Sequence, residues 1–180
     1  MGIMADPHDK KRYGEVWDPT LIANLKELVY LKELVVFSGG WAWHFMSPLN
    51  HVELKHAHDH KDVDIFVLPH NIQYVLTILN SLGFERVSTR FDRLKDNDDF
   101  RRYEKPMQTG KKLIIDFFVR KDLQITSIFG WHVVAPEQLL TFYKTIHSSD
   151  NCFAVKAAAE LLSKGINPIG RNELVTIRND

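Results

Sequence analysis

Ser38-Gly39-Gly40-Trp41 and, after a polar loop, His60-Lys61-Asp62-Val63-Asp64-Ile65-Phe66-Val67 decide how this chain reads. The second stretch is a buried strand by composition, yet two aspartates sit one residue apart within it. On a strand, residues i and i+2 share a face. Asp62 and Asp64 therefore project together, and Val63 and Ile65 point the other way. Side-by-side carboxylates repel and are costly to bury unpaired. A hard divalent cation such as Mg²⁺ removes both costs, and it commonly binds one or two carboxylates together with substrate phosphates. The Gly39-Gly40 turn complements this pair, because glycine lets a backbone approach a phosphate closely.

Working outward, Leu34-Val35-Val36-Phe37 is a short apolar strand that delivers Ser38-Gly39-Gly40 at its end. Before it, Asp18-Pro19 is a helix start, and Leu21, Leu25 and Leu28 predict an amphipathic helix over 19–31. Trp41 to Met46 reads as a helix entered from the glycines, with Trp41 and Trp43 as core packing or pocket wall. After Val67, Pro69 ends the strand, and Asn71 is placed to cap a helix carrying Ile72, Val75, Leu76 and Leu79, closed by Gly83. Strands are expected over 84–90, 100–105 and 112–119, with Val133-Val134 as a last short one. Pro136 opens a helix with Leu139, Leu140, Tyr143 and Ile146, and a further helix ends at Gly165.

The strand Lys112 to Val119 is interrupted by one acid, Asp116. A carboxylate inside an apolar strand needs a partner. A lone salt bridge with Arg90 or Arg101 is one explanation. Three such acids on two strands, Asp62, Asp64 and Asp116, are better explained as one convergent cluster. His51, His56, His58 and His60 punctuate the loop before Asp62; they read as a solvated segment near the site's mouth, with zinc as the lesser alternative.

Composition narrows the classes. The chain has 180 residues, 44% hydrophobic and 26% charged, which suits a single domain over 1–180 with a core of about 19–135 and a helical part of about 136–165. Lys plus Arg and Asp plus Glu both number 23, so no overall basic excess advertises a nucleic-acid footprint. Cys152 is the one cysteine, which excludes an internal disulfide framework and fits a reducing compartment. No apolar run reaches the roughly 18 residues of a membrane span, and a cytoplasmic protein is expected. The fold class expected is α+β, a mixed sheet of about five strands with helices packed on it.

With these motifs in order, the chain resembles the nucleotidyltransferase superfamily with the DNA polymerase β-like fold. Within it, the likeness is to the small antibiotic nucleotidyltransferases that modify lincosamides or aminoglycosides. Ser38-Gly39-Gly40-Trp41-Ala42, His60-Lys61-Asp62-Val63-Asp64, Asp116 and Val134-Ala135-Pro136-Glu137-Gln138-Leu139-Leu140 carry it, over about 20–145. The departure is a longer gap between Gly40 and Asp62, as an insertion around Pro48 to Lys55 would give. The resemblance implies that Asp62 and Asp64 hold Mg²⁺ (or Mn²⁺) on ATP or another nucleoside triphosphate. Ser38, Gly39 and Gly40 would cradle its phosphates, with His60, Lys61 and Lys144 as further phosphate contacts. Asp116 would complete the metal site or take a proton from the acceptor hydroxyl. The acceptor implied is a small molecule such as an antibiotic. The alternatives are a macromolecule, either a tRNA end or a protein side chain, and a non-catalytic, antitoxin-like binding module.

Overall fold

The computed structural model describes residues 27–46, 62–93, 99–108, 110, 112–128, 130–145, 155–156, 158–160 and 162–163. The apolar runs pair into one mixed sheet. In chain order its elements are β1 (Val35–Phe37), α1 (Gly39–Met46), β2 (Val63–Val67), α2 (Ile72–Ser81), β3 (Glu85–Val87), β4 (Phe100–Pro106), β5 (Lys112–Val119), β6 (Ile125–Ile128), β7 (Trp131–Val134) and α3 (Pro136–Thr145). The strand order is β3-β4-β5-β2-β1-β7-β6, which puts β2, with Asp64 in it and Asp62 just before it, at the centre of seven. It runs parallel to β5 and antiparallel to β1.

The class is α+β as expected, but the sheet has seven strands rather than about five. The strand that sequence reasoning lacked is β6, whose Ile125-Thr126-Ser127-Ile128 carries too little apolar character to stand out. It forms because β7 offers it an antiparallel partner along its whole length, from Ile125 opposite Val134 to Ile128 opposite Trp131. The strand expected over 84–90 stops at Val87. The chain then enters a 3-10 turn at Arg90–Arg93, where Asp92 accepts hydrogen bonds from the Thr89 N–H and hydroxyl and from Arg86.

Each face of the sheet follows from the two-residue period. Val63, Ile65 and Val67 are buried on one side together with Phe37, Ile115 and Phe117. Phe37 is the hinge of this core: its ring meets Trp131 edge-on at 5.1 Å and Phe45 of α1 at 6.1 Å. Trp41 and Trp43 are buried in α1, which assigns both to packing. In α2, Val75 and Leu79 are buried, and Gly83 ends the helix with φ of 82°, a conformation that glycine adopts freely. Asn71 does precede α2, but its side chain makes no cap. A 3-10 turn at Pro69–Asn71 leads into the helix, and the Asn71 amide instead donates to the Leu34 carbonyl at 3.0 Å. Of the helix expected over 19–31, the described residues end in a 3-10 turn at Val29–Leu31, with Leu28 and Leu31 buried; the earlier part lies outside them.

Phe37→Ala should lower unfolding free energy by about 3–5 kcal/mol in chemical denaturation, as deletion of a buried ring does. Tyr74→Ala, at a site 67% exposed, should change it by less than about 0.5 kcal/mol. The Asp92 carboxyl is held down at about 2, first by the Thr89 N–H, then by the Thr89 hydroxyl and Arg86. Since its folded value lies below the ordinary 3.8, the turn's contribution is complete above that value and is lost as pH falls towards 2. A proton NMR titration should show the Thr89 amide moving with a midpoint near 2 rather than near 4.

Candidate active site

The register of the sheet centre brings the acids together. Asp64 on β2 lies directly opposite Asp116 on β5, in a parallel pair running from Val63–Ile115 to Val67–Val119. Opposed residues on neighbouring strands point to the same face. Asp62, two residues before Asp64, shares that face. On the other side of β5, Arg102 of β4 is opposite Asp116. Arg102, Asp116 and Asp64 therefore form one row across three strands.

Arg102 holds this row with a two-pronged ion pair. Its Nε donates to Asp116 Oδ1 at 2.7 Å and its Nη2 donates to Asp116 Oδ2 at 2.7 Å. The same Nη2 reaches Asp62 Oδ2 at 3.5 Å. Asp116 is 7% exposed, so its charge is largely withdrawn from water. Such planar, forked pairing is the strong form of the arginine–carboxylate contact. The hydrogen bonds to Asp116 push the guanidinium pKa above its usual value, against the opposing effect of burial.

Neither of the partners expected for a simple salt bridge, Arg90 or Arg101, takes the role. Arg101 falls one residue out of phase, on the opposite face, where its guanidinium lies over the Phe117 ring at 5.7 Å. Arg90 belongs to the 3-10 turn beyond β3.

Ser38 and Gly39 border Asp64 from the β1 side. The Ser38 N–H donates to the Asp64 carbonyl at 2.9 Å, extending the β1–β2 pairing by one step. The Ser38 carbonyl then accepts the first bond of α1, from the Ala42 N–H at 3.2 Å. Gly39 is required twice over at this junction. Its φ is +56°, and a Cβ there would collide with Asp64 Oδ2. The Asp64 carboxylate thus lies against the first residue of α1, at the helix end that favours negative charge. Gly40 is buried in the first turn.

From Ser38, Gly39 and Asp64 a cavity of about 180 Å³ opens beneath α3. Its walls are aromatic: Phe66 meets Phe118 at 5.6 Å and Phe142 at 5.5 Å, both nearly perpendicular. Phe66 and Phe118 lie two residues along their strands from Asp64 and Asp116, on the same face. Arg120 closes the rim, with its guanidinium 5.7 Å from the Phe66 centroid and 5.8 Å from that of Phe142. Among the described residues Arg120 has no acidic partner.

The structure therefore brings Asp62, Asp64, Asp116, Ser38 and Gly39 to one region. Lys144 is exposed on α3 and does not line the cavity, although its neighbours Tyr143 and Thr145 do. His60, Lys61 and the other loop histidines lie outside the described residues. Carboxylate oxygens suit a hard divalent ion in kind. Among the described residues, however, no three acidic, histidine or cysteine side chains stand close enough together to hold one. Arg102 and the aromatic cavity wall are the parts that sequence reasoning missed. The signal for Arg102 is its phase in Phe100-Arg101-Arg102-Tyr103, readable once Asp116 is known to sit opposite. No helix among the described residues is long and apolar enough to cross a membrane.

No family model matches the sequence, and no curated protein does so either. Among solved structures, the chain is similar to ANT(2'')-Ia in complex with adenylyl-2''-tobramycin, with a TM-score of 0.50 and 10% identity, covering 89% of this chain and 95% of that one. It is also similar to the lincomycin-bound lincosamide antibiotic adenylyltransferase LnuA, with a TM-score of 0.47 and 15% identity, covering 81% and 98%. A third likeness, to the Megavirus polyadenylate synthase, has a TM-score of 0.40 and 12% identity, covering 99% of this chain and 35% of that one. At 10% identity the likeness to ANT(2'')-Ia is one of architecture: the chain shares its α+β fold.

Proposed function

We propose that the chain is a metal-dependent nucleotidyltransferase that moves a nucleoside monophosphate, AMP from ATP, onto a hydroxyl of a small molecule such as an antibiotic. One observation carries this reading: Asp62, Asp64 and Asp116 share a sheet face beside the Ser38-Gly39 junction, and Asp64 opens into a cavity. Asp62 and Asp64, with Asp116 beside them, are the residues that would hold Mg²⁺ or Mn²⁺. The chemistry gained through the bound ion is neutralisation of charge on the entering and leaving oxygens of an in-line displacement. The protein's own work is positioning. Gly39 admits the Asp64 carboxylate against the start of α1, and Ser38 and Gly39 line the cavity in which phosphate oxygens would lie. Phe66, Phe118, Phe142 and Tyr143 supply apolar wall for a ring system, and Arg120 supplies a forked cation at its edge. Lys144, His60 and Lys61 remain candidates for contacts to the outer phosphates.

Transfer to a macromolecule is the second reading, and the excess of Lys and Arg between Arg90 and Lys112 is the sequence feature that leans towards it. Much of that charge is already engaged. Arg102 pairs with Asp116, Lys105 with Glu27 at 2.6 Å and Lys112 with Glu104 at 2.6 Å, and Arg101 lies on Phe117. Cations committed to neighbours favour the small acceptor. A non-catalytic module would have no use for Asp64 and Asp116 side by side on one sheet face with Asp62 beside them.

Asp64→Asn keeps the side chain's size and removes its charge. Transfer of label from ATP should fall by roughly a thousandfold, with circular dichroism and melting unchanged; unaltered turnover refutes the mechanism. Incubation with labelled ATP and Mg²⁺, in separate reactions with lincosamides, aminoglycosides, tRNA and protein, should place label on a small-molecule hydroxyl. Label on tRNA or protein alone overturns the choice of acceptor.

A further inference from the structure

A cluster of carboxylates ordinarily awaits its cation, but this one already carries a positive charge. The Arg102 guanidinium bonds both oxygens of Asp116 and spans to Asp62, so it engages two of the three acids at once. It reaches them from β4, a strand that carries none of the acids. Its side chain is 28% exposed, and those of Asp62 and Asp116 are 14% and 10% exposed, so the charges act on one another through a partly dried medium. A carboxylate with both oxygens committed to a guanidinium has less electron density to give a metal. A divalent ion brought beside it also meets a like charge.

We propose that Arg102 is a resident counter-cation that competes with the divalent metal for Asp116 and Asp62, and so sets the affinity of the site. This rests on the reading of the three acids as metal ligands. Without metal, the guanidinium offsets repulsion among the acids and keeps Asp116 oriented. With metal, its contact to Asp62 is given up and its hold on Asp116 loosens. Arg102 is thus a positioning residue: it acts on the ligands rather than on the substrate. The arrangement keeps the acids ordered when no nucleotide is present, and it makes tight metal binding depend on the extra ligands that a triphosphate brings.

The test uses the full chain and Mn²⁺, with free ion followed by electron paramagnetic resonance, in the presence of a non-hydrolysable ATP analogue. Arg102→Gln, which keeps a donor and loses the charge, should bind Mn²⁺ roughly tenfold more tightly than the unaltered chain. Arg102→Lys, which keeps the charge, should stay close to it. In the unaltered chain, nitrogen-15 NMR should show the Arg102 Nε–H protected from exchange without metal and released on Mg²⁺ saturation. That measurement decides the matter even if the glutamine variant does not fold. Equal or weaker Mn²⁺ binding by Arg102→Gln, or an Nε–H indifferent to Mg²⁺, overturns the proposal and leaves the transferase reading standing. An absence of Mn²⁺ binding by the unaltered chain sinks both.

Discussion

Repulsion among like charges is the constraint around which the centre of this sheet is built. Asp64 and Asp116 are forced onto one face by the β2–β5 register, and Asp62, just before β2, is held beside them by Arg102. A buried carboxylate is tolerated only with compensation. Three devices provide it. Arg102 grips Asp116 from β4. The start of α1 lies against Asp64, admitted by a glycine. The opposite face is packed with Phe37, Ile65 and Phe117, which leaves the strands no freedom to turn the acids elsewhere. A one-residue slip would exchange these faces and bury every acid in the apolar core.

The position of β2 as the middle strand strengthens this. Both its edges are occupied, by β1 and β5, so the backbone beneath the acids is fixed by hydrogen bonds on two sides. The outermost strands, β3 and β6, have three and four residues and carry the least burial. Order is concentrated where charged groups must be held against their mutual repulsion.

Much of this was legible in the sequence, for reasons that particular residues make plain. Asp62 and Asp64 announce their common face through spacing alone, and Asp116 stands out against Ile114, Ile115, Phe117 and Phe118. Gly39 reads as a close approach, and here the approaching group is the Asp64 carboxylate. What stayed hidden depends on pairing between distant segments. Nothing in Phe100-Arg101-Arg102-Tyr103 says which arginine faces Asp116 until the β4–β5 register is known, and the choice fell on Arg102. Likewise β6 exists through its partner β7 rather than its own composition. Asn71 sits where a cap belongs but spends its amide on Leu34, because the turn before α2 keeps its own backbone helical.

The cavity beside Asp64 draws its walls from two kinds of element. Phe66 and Phe118 belong to the strands that carry the acids, whereas Leu139, Phe142 and Tyr143 come from α3. Changes to the first pair fall on the strands that hold the charged row, whereas Phe142 and Tyr143 are half-buried on a helix outside the sheet. Selectivity for what enters the cavity can therefore drift along one helix face while the sheet stays constant, so one scaffold can be retuned to new molecules without rebuilding its chemistry.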